Sequence, residues 1–238
     1  MRFFSDGSPG IIIPLENSTL PYAPNPAGKQ GEMIVYGIFD HYIDIAAAPD
    51  TGMIIAVLQP YALTMLTGIH TSSLKNRVFP FKSLFPRAAP VIESKIRSRT
   101  SISTIISDVE DFLSGFSLDS LRIDPIVTES LSIILANQGN LTIPALLRHL
   151  PVSERQLERK FNHYIGVSPK KLSGLQRMTH FLKLLRSAQM DSSPLKYALQ
   201  AGYYDQAHLN NHFKSLTGTT PLSYLNAADP LAINLFAR

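Results

Sequence analysis

The chain has 238 residues, 22 Lys and Arg against 18 Asp and Glu, a formal net charge of +4, and 45% hydrophobic residues. That length holds one large domain or two small ones, each able to bury a core, and a charged fraction of 17% describes a soluble globular chain rather than a disordered one. There is no cysteine, which excludes disulfides, thiolate zinc sites, iron–sulfur clusters and a cysteine nucleophile. The first residues carry Arg2 and Asp6 without a full apolar stretch, so no signal peptide is read. Apolar runs break well short of 18 residues. A cytoplasmic protein with no membrane partner is the expectation.

In chain order, residues 1–60 hold short β-branched runs between turns: Gly10 to Pro14, Met33 to Gly37 and Gly52 to Pro60, each predicted as a strand. Tyr61 to Gly68 predicts a short helix stopped by glycine. From Ala89 the apolar spacing becomes helical, through Val91 to Ile96, Ile102 to Phe112 and Leu131 to Ala136. Gln138-Gly139-Asn140 is a break, and the division is placed just before it, giving units 1–130 and 131–238. The first unit has ten basic and thirteen acidic residues (net −3), the second twelve and five (net +7). A basic second unit beside a mildly acidic first one points to a polyanion as the partner of the second.

That second unit carries one device twice. Thr142 is placed to cap a short helix with Pro144 in its first turn, and Ser153 to cap another that ends near Gly166. About fifty residues later Leu195 to Gly202 is again a short helix with a glycine turn, and Asp205 caps a helix from Gln206 to Leu216 stopped by Gly218. Phe161, Gly166 and Pro169 have the same spacing as Phe213, Gly218 and Pro221. Two short helices around a tight turn, with the second capped, make a helix-turn-helix. Leu175 to Arg186 is an amphipathic helix placed to hold the two copies apart.

At these residues the sequence resembles the AraC-type family of bacterial transcription regulators. Ala201-Gly-Tyr-Tyr-Asp-Gln-Ala-His-Leu-Asn-Asn-His-Phe-Lys-Ser-Leu-Thr-Gly-Thr-Thr-Pro221 follows the family signature at the second motif, Ser153 to Phe161 with Gly166 to Pro169 the first, and Arg177 falls on the linker-helix arginine. The N-terminal half is similar to a poorly characterised sensor domain of some members, in Asp6-Gly7 before Ile11-Ile12, Val35-Tyr36-Gly37, Val57 to Leu63 and Leu66 to Ile69. Those members carry a further segment before the Asp-Gly stretch, so the expectation is either a trimmed sensor or a start downstream of the true one. The chain departs from the family in having Pro151 at the first turn and Leu147 where a small residue is usual. The resemblance implies an α+β chain, a small β-containing N-terminal domain followed by an all-α domain with two helix-turn-helix motifs and a linker helix.

It also implies double-stranded DNA as partner, with each second helix in a major groove. Arg155, Glu158, Arg159 and Asn162 share one face of the first such helix, opposite Leu157 and Phe161. Gln206, His208, Asn211, His212 and Lys214 are the polar positions of the second. Arginine pairs bidentately with guanine, glutamate accepts from cytosine, and Gln or Asn reads adenine. Lys160, Lys170, Lys171, Lys183 and Lys214 are phosphate or solvent positions. Activation through RNA polymerase, a homodimer and a small-molecule effector at the N-terminal domain are what the family suggests. A constitutive DNA-binding dimer without effector is the alternative.

No catalytic constellation, cofactor or metal is expected. His208 and His212 at i and i+4 lack the glutamate of a metalloprotease motif and any thiolate to complete a site. Asp40, His41 and Asp44 have no nucleophile at an informative spacing, and Asp108, Glu110 and Asp111 read as helix surface. Lys95, Arg97 and Arg99 read as a solvated face, and Tyr36, Phe39, Tyr42 and Tyr61 as core rather than the lining of a pocket. Fusions of such readers to alkyl-transfer repair enzymes need an acceptor cysteine, which is absent.

Overall fold

A computed structural model describes residues 2–15, 32–44, 52–99, 101–116, 123–187 and 194–225. Strands β1 (Arg2–Phe3), β2 (Gly10–Pro14), β3 (Ile34–Tyr36), β4 (Ile43–Asp44), β5 (Met53–Val57) and β6 (Val78–Pro80) form two sheets. The larger has the order β5-β2-β3-β6 with every pair antiparallel, and β1 pairs with β4 separately. β2 is the unbroken apolar run Gly-Ile-Ile-Ile-Pro, and all five residues are buried, as a central strand covered on both faces requires. Ile11 and Ile13 face one core and Ile12 the other, the alternation of a strand read residue by residue.

Helices α1 (Ala62–Thr67), α2 (Phe81–Leu84), α3 (Ala89–Arg97) and α4 (Ile102–Ser114) follow, with a 3-10 turn at Thr71–Ser73 after α1. Gly68 ends α1 at φ +69°, as the sequence suggested. Phe81, Phe85, Phe112 and Phe116 pack edge-on and tilted at ring centroids 4.8–6.0 Å apart, closing the face that carries Ile11 and Ile13. Two readings of this half change. Asp108 is buried rather than at the surface, and Lys95 and Arg99 turn in to it at 2.7 and 2.8 Å, so those cations are paired and not a free basic face. Hydrogen bonds from Arg99 and then Lys95 hold the Asp108 carboxyl down to about 2. Asp40 likewise bonds His41, Lys75 and Asn76. Burial works to raise its pKa, but those bonds and the Lys75 charge hold the carboxyl well below the usual range.

The second half is helical: α5 (Pro125–Ala136), α6 (Ile143–Leu147), α7 (Glu154–Tyr164), α8 (Pro169–Ser187), α9 (Pro194–Gln200), α10 (Gln206–Thr217) and α11 (Pro221–Leu225). The helix α5 runs straight through position 130, and its buried Val127, Leu131 and Ile134 pack with the cluster that holds Leu157, Phe161, Phe181 and Phe213. α8 starts six residues earlier than the amphipathic pattern showed, because Pro169 supplies a preset first turn. The chain start joins this core too. Phe4 and Ile38 are buried in it, Phe4 meets Tyr224 at 6.1 Å, and the Gln176 side chain donates to the Asp6 carbonyl at 2.7 Å. No helix among the described residues is long and apolar enough to cross a membrane.

Candidate nucleic-acid interface

Helix α7, the second of the first motif, begins with a reciprocal cap. The Gln156 N–H donates to the Ser153 hydroxyl at 3.3 Å, while the Ser153 N–H donates to the Gln156 side chain at 2.9 Å. Leu157 and Phe161 are fully buried, which turns Arg155, Glu158, Arg159 and Asn162 outward together, and all four are exposed. Pro151 sits in an exposed turn between the buried Leu150 and the half-buried Val152. α6 and α7 form around it, with Thr142 capping α6 by accepting from the Ala145 N–H at 3.3 Å.

The second helix repeats the plan. Asp205 accepts from the His208 N–H at 2.7 Å, Leu209 and Phe213 are buried, and Gly218 closes the helix at φ +71°. Gln206, Asn211 and Lys214 are exposed, and His208 is half-buried. His212, counted with them from the sequence, turns inward. It meets the Tyr203 hydroxyl at 2.8 Å through Nδ1 and packs on Gly174 of α8, so its polar edge serves the protein itself. Burial, then the charges of Arg177, Lys171 and His208, lower its pKa to about 4. At pH 7 the ring is therefore neutral and shares one hydrogen bond with the Tyr203 hydroxyl.

α8 holds the two helices. Leu172, Leu175, Met178, Phe181, Leu182 and Leu185 are buried along it, reaching both motifs. Its Arg177 donates to the Gly139 carbonyl at 3.1 Å and lies 5.8 Å from the Tyr203 ring centroid. Gly139 has φ +74°, and a Cβ there would come within 2.1 Å of the Ser173 carbonyl, so the break read at Gln138-Gly139-Asn140 is a close crossing onto α8. Among the lysines, Lys160 pairs with Asp124, whereas Lys170, Lys183 and Lys214 are exposed and Lys171 is half-buried.

The family model described as a helix-turn-helix domain matches residues 146–227, about a third of the chain, from the end of α6 through α11. Residues 146–227 are an AraC-type helix-turn-helix domain. That makes the protein a DNA-binding transcription regulator at the level of class. No curated protein matches the chain. Among solved structures, an apo variant of ToxT from Vibrio cholerae is 12% identical at a TM-score of 0.50, covering 92% of this chain and 89% of its own. A further ToxT structure from Vibrio cholerae is 13% identical at 0.49, covering 94% and 92%. The first of these supports the same order of a small antiparallel sheet followed by a helical domain; at such identity the likeness is one of fold.

What the sequence did not signal is how the N-terminal half grips the AraC-type domain. The Thr71 hydroxyl donates to the His163 carbonyl at 2.9 Å, and the Thr64 hydroxyl to the Tyr164 carbonyl at 3.2 Å, so two threonines satisfy the carbonyls that the end of α7 leaves open. The His70 and His163 rings meet Nδ1 to Nδ1 at 2.9 Å, and burial followed by the charge of His70 lowers the His163 pKa. Gly166 (φ +87°) lies against this turn, where a Cβ would be 2.8 Å from the Thr71 carbonyl oxygen. As a result His70, Ser72 and Asp124 form one wall of a cleft of about 960 Å³ whose other wall is the exposed face of α7, including Arg155 and Arg159. Tyr204, ahead of the Asp205 cap, is also new: it is 81% exposed with its ring stacked on His208. Among the described residues no group of three or more His, Asp or Glu is placed to hold a metal ion.

Proposed function

We propose that this regulator recognises a specific duplex by placing α7 and α10 in two successive major grooves. The observation that carries the reading is the pair of capped helices, each with a buried Phe and an exposed polar face, fixed to one 19-residue helix. A helix of that length spans about 28 Å at about 1.5 Å per residue, close to the roughly 34 Å between successive grooves on one face of B-DNA. Arg155, Glu158, Arg159 and Asn162 read one half-site, with Arg159 the principal base contact; Gln206 and Asn211 read the other, with His208 and Lys214 at its edge. His212 is left out because its ring is held against Tyr203 and Gly174. The half that precedes α5 acts as sensor and dimerisation unit in the cytoplasm, and transcription is activated through RNA polymerase, as in most of the family the sequence resembles.

Selection of bound sites from a random duplex library tests this. The expected product is a bipartite motif with two half-contacts about one helical turn apart. Arg159→Ala relaxes one half and Asn211→Ala the other, each by about 1–3 kcal/mol. An unenriched pool overturns the reading. Thermal shift against a metabolite panel separates an effector-responsive sensor from a constitutive dimer, since a ligand that prefers the folded state raises the midpoint.

A further inference from the structure

Between the two motifs lies a second cleft, of about 490 Å³, floored by α8. It touches the start of both recognition helices, through Glu154, the first residue of α7, and His208, the third of α10. Helix-turn-helix proteins meet DNA with those ends, so the cleft lies where the backbone between two grooves must pass. Its charges are lopsided: Lys170 and Arg177 stand against the exposed Glu154, the one acid among the described lining residues. Nor are its polar groups used up internally. Arg177 Nε, His208 Nδ1 and Ser173 Oγ are each buried with no hydrogen-bond partner among the described residues. The field is felt by His212 on the same wall, where the Arg177, Lys171 and His208 charges add to burial in keeping it neutral.

We infer that this cleft is an oxyanion seat of the phosphate class, held by the Lys170 ammonium, the Arg177 guanidinium and the His208 imidazole, and filled by a backbone phosphate between the two half-sites. The DNA source rests on the groove-reading function proposed above; the oxyanion chemistry does not. An exposed lysine sits at the mouth, while Arg177, tied to Gly139 and Tyr203, is held in a fixed orientation on the floor. A flexible cation at the rim and a fixed fork beneath it form an arrangement suited to a tetrahedral anion.

The test has two arms on the full chain. In the first, inorganic phosphate is titrated at constant ionic strength and amide shifts are followed by NMR. Wild type is expected to shift at Ser173, Gly174 and His208, and Lys170→Glu to lose those shifts, while Lys196→Glu, an exposed charge reversal on α9, keeps them. In the second arm, duplexes carrying one neutral methylphosphonate at successive linkages between the half-sites are bound. One linkage is expected to weaken wild type several-fold and leave Lys170→Glu unaffected, and that variant to show a salt slope shallower by about one. Phosphate shifts without any sensitive linkage keep the seat and assign it to a free oxyanion. A sensitive linkage without phosphate shifts keeps the DNA source. Failure of both arms overturns the seat. If wild type binds no duplex, the groove-reading function fails by itself and the phosphate arm alone decides the seat.

Discussion

Replacing Thr71 by Val removes one hydroxyl from the contact between the N-terminal half and the first recognition helix while keeping the side-chain shape. Thr71 is buried and donates to the His163 carbonyl at 2.9 Å, and its Oγ1 lies 3.2 Å from the Thr64 hydroxyl. In the variant the single Thr64 hydroxyl proton serves either the Tyr164 carbonyl at 3.2 Å or the His163 carbonyl at 3.4 Å, so one of the two carbonyls loses its donor. The loss is thus one hydrogen bond to a partly buried carbonyl, about 1–1.5 kcal/mol, rising toward about 3 if that oxygen goes unsatisfied. For a chain of this size 1 kcal/mol lowers the midpoint by about 2–4 °C, so calorimetry is expected to show a fall of about 2–6 °C. Thr71→Ser, which keeps the donor, is expected to recover most of it. A double-mutant cycle with Thr64→Val is expected to show coupling, since both hydroxyls serve the same end of α7. A Thr71→Val midpoint within 1 °C of wild type, with no coupling to Thr64, would refute the idea that this contact fixes the recognition helix.

Two further outcomes follow from the second motif. Asp205→Ala removes the acceptor of the His208 N–H and is expected to cost about 1 kcal/mol by urea unfolding, within the usual 0.5–2 for such caps. His212 has a folded pKa of about 4 against 6.5 unfolded, so the unfolded chain takes up the proton first as pH falls. Its contribution is present above pH 6.5 and is lost as pH drops from 6.5 toward 4. His212→Gln, which can still bond Tyr203, is expected to flatten stability across that window; an unchanged pH profile counts against the buried, neutral imidazole.

The helix-turn-helix was legible because its signals are local. Caps lie three residues from the N–H groups they serve, and Gly166 and Gly218 mark left-handed backbone that few other residues adopt. Helix periodicity likewise gave the outward set on α7, since the fully buried Leu157 and Phe161 fix which face remains. It failed at His212, which lies on the polar side by spacing but meets α8 at Gly174, a neighbour nearly forty residues away. Asp108 differs from its sequence reading for a related reason: an acid beside Glu110 and Asp111 in one helix looks solvated until Lys95 and Arg99 fold onto it. The Thr64 and Thr71 contacts bridge 92 to 100 residues, and no local pattern encodes such a pairing. The pairing of β1 with β4 and the place of Phe4 in the helical core were hidden in the same way.

In this reading α7 and α10 act together at a fixed separation set by α8. It is tested most directly by measuring the affinity of the full chain for duplexes carrying both selected half-sites at centre-to-centre spacings from 8 to 16 base pairs (roughly three-quarters to one and a half helical turns). The predicted result is a sharp optimum near one helical turn, with a loss of at least about tenfold at half a turn more, where one helix loses base contacts worth about 1–3 kcal/mol each. Equal affinity at every spacing, or affinity equal to that of a single half-site, would contradict it.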